Sequence, residues 1–280
     1  MKCLVTKLGG VIDNADLKKV GEFFIDFNPT GAVQKLRVQI ANKSAVARVV
    51  GEGRLTDSAG STTLSSVNIP ASTDTWLYVV GAKRIALGEV ASLKDIVLNT
   101  DANIILNLDE LKYANSLISI IQSSNAIGDV ASLAGKFFNQ IDIINSSIVG
   151  EIGNINCNNI TLTSCKKVSG RVNDLPHINI LNLKNCTSVG GTTEAFSKGG
   201  ATRLVLNGTA ITGNISYLAM NPNLSVVDLS NTAITGDLSS LVNMTKLTTL
   251  MLPTSVTYTQ ADFNTLTSKG CSVSGGTKIG

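Results

Sequence analysis

From residue 96 onward the apolar positions do not alternate evenly; they fall in short triplets of apolar, any, apolar, set apart by polar stretches of nearly constant length. The triplets stand at 96–98, 119–121, 141–143, 160–162, 181–183, 204–206, 227–229 and 250–252, the second of them degenerate. Their last residues are separated by 23, 22, 19, 21, 23, 23 and 23 positions. A second apolar mark keeps the same step at Ile104, Ile127, Ile148, Val168, Val189, Ile211 and Ile234. Next comes Gly, any, apolar, at 128–130, 150–152, 170–172, 213–215 and 236–238, with an earlier copy at 88–90. A further apolar residue, Leu93, Leu133, Ile155, Leu175, Leu218 or Leu241, completes the set. A coil of this size cannot bury its apolar side alone, so the pattern predicts about eight stacked coils that share one core and need a cap at each end.

The clearest copy, LSVVDLSNTAITGDLSSL at 224–241, resembles the leucine-rich-repeat consensus in its plant-like variant, and the resemblance extends over about 87–252. It implies one strand per coil lining a common face and a second short strand opened by Gly. Two coils depart from the pattern. The one at 106–108 has no glycine, and the one at Gly190 continues Gly191, Thr192 with polar residues as far as Gly200, so both segments are expected to bulge.

The ends read differently. Thr259 followed by Asp262 is a capping-box pattern for a short helix, with Phe263 and Leu266 toward the last coil, Gly270 at the stop and a final strand at 271–273. Before Gly88 the period is absent, and 22–27, 36–40, 45–50 and 76–80 read as strands between polar turns. The expected fold is therefore mainly β: a small antiparallel β domain at 1–85, a leucine-rich-repeat solenoid at 86–252 and a helical cap at 253–280.

Composition narrows the function more than the fold. Charged residues are 15% against roughly 25% in typical globular chains, so the surface is mostly neutral and polar. The net charge of +3 comes from scattered residues and not from a basic stripe, which argues against a nucleic-acid partner. Aromatic residues are 4%, too few for an aromatic-rich sugar cleft or a base-stacking platform as the main working surface. The opening residues are broken by Gly9 and Gly10 before an apolar run forms, so they do not read as a signal peptide, and expression and folding in a cytoplasm are expected. No stretch approaches the ~18 apolar residues of a membrane-spanning helix, so membrane insertion is not expected.

Candidate chemistry is sparse, and no catalytic, cofactor-binding or metal-binding residue is assigned. Cys3, Cys157, Cys165, Cys186 and Cys271 are odd in number and lack paired spacing, which fits neither a disulfide framework nor a zinc site. Cys165 and Cys186 follow their triplets by three residues, where leucine-rich repeats carry a buried ladder residue. His177, the sole histidine, stands beside Pro176 with no nucleophile pattern around it. Asn145, Asn207 and Asn231 follow their triplets closely, where a side-chain amide would bond the backbone of the neighbouring coil. The middle residues of the triplets, Val97, Ile120, Asp142, Thr161, Asn182, Val205, Asp228 and Met251, should point outward on the concave sheet and form the candidate binding face. Asp142 and Asp228 lie four coils apart, too far to share a proton or a metal. Asn-x-Ser/Thr triplets, as at Asn159 and Asn214, follow from composition.

The opening MKCLVTKLGGVIDNADLKKVGEFFIDF and the ITGNI and ITGDL coils resemble fibre or appendage proteins of tailed, crAss-like phages of gut Bacteroidetes. That resemblance implies a non-enzymatic virion structural protein of head or tail, assembled in the host cytoplasm. Residues 1–85 would dock on other virion proteins or on sister subunits, and the solenoid would attach to a host-surface glycan or protein. Homo-oligomers are implied too, and symmetric copies would multiply weak contacts into avidity. The alternatives are a bacterial surface or secreted leucine-rich-repeat adhesin and an intracellular interaction scaffold.

Overall fold

Residues 21–98, 103–176 and 178–280 are described by a computed structural model. The opening residues that carry part of the phage resemblance, with Cys3, and also His177, lie outside the described residues. The chain divides into two compact units, Met1–Gly128 and Asp129–Gly280.

The first unit holds β1 (Glu22–Phe27), β2 (Gln34–Ile40), β3 (Ala45–Val49), β4 (Arg54–Thr56), β5 (Thr63–Leu64) and β6 (Val67–Ile69). It continues with β7 (Thr75–Val80), β8 (Arg84–Gly88), β9 (Leu93–Val97), β10 (Ile104–Asn107), β11 (Ser119–Ser123) and β12 (Ala126–Ile127). One sheet runs β6-β3-β8-β1-β10-β12. The other runs β5-β4-β7-β2-β9-β11. The pattern of β2 shows why: QKLRVQI buries Gln34, Leu36, Val38 and Ile40 and turns Lys35, Arg37 and Gln39 outward, the period of a half-buried strand. Phe23, Ile25, Leu55, Ile69, Leu77, Val79 and Ile85 are likewise fully buried.

Pairing within each sheet is antiparallel until its last step. β9 pairs antiparallel with β2 and parallel with β11, and β10 pairs antiparallel with β1 and parallel with β12. β9 and β10 are the two strands of the first periodic coil, so β1 and β2 cover an apolar end that would otherwise face water. Periodicity changes near residue 86 whereas compactness changes at Gly128, because these seam strands belong to the repeat by sequence and to the antiparallel sheets by hydrogen bonding. The expected early copy at 88–90 is corrected in the same way. Gly88 ends β8, an antiparallel neighbour of β1 and β3, and only the 3-10 turn Val90–Ser92 leading into Leu93 follows the coil plan.

The second unit holds β13 (Phe137–Ile144), β14 (Gly150–Glu151), β15 (Asn156–Thr163), β16 (Val168–Arg171), β17 (Ile180–Asn182) and β18 (Val189–Thr192). It continues with β19 (Arg203–Val205), β20 (Ala210–Asn214), β21 (Val226–Asp228), β22 (Ala233–Asp237), β23 (Thr249–Tyr258), α1 (Gln260–Ser268) and β24 (Ser272–Lys278). The front stack, β13-β15-β17-β19-β21-β23-β24, is parallel throughout, as a leucine-rich-repeat solenoid requires. Its inward row aligns Ile141, Ile160, Leu181, Leu204, Val227, Leu250 and Val273. The first six of these are at most 1% exposed.

The back stack, β14-β16-β18-β20-β22-β23, is staggered: the signature glycine of each coil sits opposite the apolar mark of the next, as in Gly213↔Ile234 and Gly236↔Val256. Gly236 shows why only glycine serves. Its φ is +119°, and a Cβ there would lie 2.7 Å from Asn214 Oδ1 of the preceding coil. That Asn214 carbonyl accepts from Ser216 N–H at 2.9 Å, capping the 3-10 turn that follows, as Asp237 does for Ser239. At the departing coil, buried Thr193 takes an apolar position and satisfies its hydroxyl by donating to Asn214 O at 2.8 Å. The cap has the expected form: Thr259 and Asp262 make a reciprocal capping box and Leu266 is buried. The final strand is longer than 271–273, since β24 follows β23 round its bend.

Candidate functional site

Six of the candidate face residues form one unbroken row in the second unit: Asp142, Thr161, Asn182, Val205, Asp228 and Met251 are consecutive partners in the front stack. With strands ~4.8 Å apart, Asp142 and Asp228 are about 19 Å from each other, which rules out shared carboxylate chemistry. Asp228 Oδ1 accepts from Ser230 N–H at 3.0 Å and Ser230 Oγ–H at 2.7 Å, and Asn182 Oδ1 accepts from Lys184 N–H at 3.2 Å. Both side chains therefore also pin the end of their own strand. Burial raises the pKa of Asp142. Val205 points outward in register but is only 7% exposed, whereas Met251 is 40% exposed.

In the first unit the face differs from expectation. Ile120 pairs with the inward Ile96 and is fully buried, so it is not a surface residue. The triplet there is polar, apolar, apolar, and spacing alone set its register one residue wrong; Ile121, the partner of Val97, holds the outward place. Val97 is outward in register but 6% exposed, because its neighbours cover it. The row does not stop there. Val97 pairs with Arg37 and Arg37 with Trp76, so a line Ile121, Val97, Arg37, Trp76 crosses from coil strands into the antiparallel sheet. Beside it Lys35 pairs with Tyr78. Trp76 is 41% exposed, Lys35 Nζ lies 5.8 Å from its ring centre, and Arg37 Nη1 donates to Asp74 Oδ2 at 2.5 Å. The repeat could not announce these residues, but the alternation in QKLRVQI and TWLYVV could have.

The bend after each front strand carries a ladder. Cys165 Sγ–H points to Ile143 O at 3.6 Å and Cys186 Sγ–H donates to Leu162 O at 2.6 Å. Thr209 and Thr232 fill the equivalent places with hydroxyl bonds of 2.6 Å to Leu206 O and Leu229 O. Burial pushes the thiols of Cys157 and Cys165 up to about 11 and that of Cys186 to about 12, so they are structural donors and not nucleophiles. The Asn expectation needs correction. Asn145 and Asn231 have φ of 49° and 56°, and the same place is taken by Ser164, Asn185 and Gly208, so the site selects a left-handed backbone. It is a main-chain N–H that reaches the next coil, as Asn145 N–H does to Thr163 O at 2.8 Å. Asn207 stands one residue early.

Two cavities open on the second unit. One of about 440 Å³ lies among Leu175, Ile178, Asn179, Phe196 and Asn221, and one of about 630 Å³ among Asn145, Ser164, Lys166, Lys167 and Asn185. Neither gathers an acid, a base and a nucleophile. Among the described residues no group of three or more His, Cys, Asp or Glu side chains is placed to hold a metal, and no helix is long and apolar enough to cross a membrane.

No protein-family profile matches the chain, and no curated protein matches it significantly. Among solved structures, internalin C2 from Listeria monocytogenes str. 4b F2365 is similar at 17% identity and a TM-score of 0.40, covering 69% of this chain and 76% of that one. The leucine-rich-repeat fold of this chain is established by its own strand register.

Proposed function

We propose that the protein is a non-enzymatic virion structural protein, a head or tail fibre, whose solenoid attaches to a host-cell glycan or protein. The observation that carries the reading is the front row of the second unit: six outward side chains in unbroken register on a parallel sheet, of mixed type, with no catalytic grouping around them. A leucine-rich-repeat solenoid is a protein-interaction fold, and a row of mixed polar, apolar and acidic side chains suits weak contacts that become useful when copies are multiplied. The sequence likeness to fibre proteins of crAss-like phages adds the setting: residues 1–85 would join other virion proteins or sister subunits in a homo-oligomer, and assembly would occur in the host cytoplasm.

The test is particle proteomics together with attachment. The chain is expected in purified virions, and Asp142→Lys with Asp228→Lys is expected to reduce particle attachment to host cells, with circular dichroism confirming that the variant is folded. Absence from particles would sink the virion setting. Unaltered attachment would move the contact off the front row.

A further inference from the structure

We propose that the outer face of β7 and β2 in the first unit is a binding platform for carboxylate-bearing saccharides, of uronate or sialate type. Trp76 and Tyr78 stand two residues apart on one strand, so their rings rise from the same face about 7 Å apart. Directly opposite, Arg37 faces Trp76 and Lys35 faces Tyr78. Planar aromatic rings on a flat sheet offer stacking surfaces to the C–H faces of sugar rings, and the opposed Lys35 ammonium offers a partner to their carboxylates.

Charge selects the acidic member of that class. Arg37 is neutralised by Asp74, but no carboxylate among the described residues pairs with Lys35, whose ammonium is held beside the Trp76 ring. Arg54, outward on the flanking strand β4, bonds among the described residues only to Gly60 O and Thr63 Oγ1. The face thus carries Lys35 beside the Trp76 ring and Arg54 opposite Val80, neither with an acidic partner among the described residues.

Size and backbone argue against a protein occupant. The outward neighbours Thr56, Val97 and Ser119 are 2%, 6% and 7% exposed, so the accessible patch is confined to a few side chains. A stable protein interface needs about 800 Å² on each partner. β7 and β2 are each paired on both edges, so an extended peptide finds no free strand edge here. The inference goes beyond the virion reading and does not depend on it, since it concerns the isolated chain.

Trp76 is the only tryptophan, so its emission reports the site directly. The full chain would be titrated with a short oligogalacturonate, an oligosialate, a neutral maltooligosaccharide and poly-glutamate. A saturable change in emission with either acidic saccharide is expected, weakened by added salt, with little response to the neutral one. By calorimetry Trp76→Ala should abolish that binding, Trp76→Phe should retain part of it, and Lys35→Gln should weaken it about fivefold. Circular dichroism would confirm that each variant is folded. Silence toward both acidic saccharides, equal binding of the neutral one, or a response to poly-glutamate alone would each overturn the proposal; the last would point to an acidic protein segment. None of these outcomes bears on whether the chain is found in particles.

Discussion

The parallel front stack of the second unit and the antiparallel β2–β7 pair of the first present opposite kinds of surface. In the second unit the strands are parallel and each outward place is filled once per coil, so chemistry is spread thinly along a row from Asp142 to Met251. In the first unit β2 and β7 pair antiparallel, side chains two apart share a face, and Lys35, Arg37, Trp76 and Tyr78 are drawn together. Repetition builds a core cheaply in sequence terms but dilutes any one chemistry over the coils. A strand pair outside the repeat can concentrate it.

The sharpest way to break this contrast is in the shared spine of the second unit. Leu229→Asp puts a carboxylate into a fully buried row and is expected to cost about 4 kcal/mol or more, seen as loss of the thermal transition in that unit. An unchanged melt would mean that the inward register is wrong. Next in size, Gly236→Val forces a branched side chain to a φ of +119° against Asn214 and is expected to cost about 3 kcal/mol in chemical denaturation. Thr259→Ala removes the capping box of α1 and should cost about 1 kcal/mol, with the effect read in helix fraying and a lower melting temperature.

The smallest effect concerns pH. Burial raises the folded pKa of Asp142 above its unfolded value, so the stability tied to its neutral form is fully present below the unfolded pKa and lost as pH rises through the folded one. Asp142→Asn should therefore leave stability unaltered or slightly higher at neutral pH, with the difference fading in acid. A variant less stable at neutral pH than the parent would show that the carboxylate has a partner that favours its charge.

Much of this was readable beforehand where the period is strict. From Ile141 to Leu252 one residue type fixes one direction, because a parallel stack aligns equal positions. Reading failed where the pattern degenerates, at Ile120, since Ser-Ile-Ile fits two registers and only the pairing with Ile96 decides between them. It also failed at the bends. Asn145 and Asn231 looked like side-chain donors, yet what the site requires is a tolerated left-handed backbone, which Ser164 and Gly208 supply as well. The Trp76 patch is not visible in composition for another reason. A low aromatic fraction counts rings without saying where they stand, and one exposed ring opposite a cation can matter more than several in a core.

The stagger of the back stack has a consequence for how such a chain can change. Because each signature glycine meets the apolar mark of its successor, an unequal crossover between the ITGNI and ITGDL segments, 23 residues apart, would add or delete a complete turn and rejoin every contact in phase. Shifts by a fraction of a coil would set side chains against the wrong neighbours. The reach of the protein is therefore quantised, and lineages could lengthen or shorten it while inheriting both ends intact.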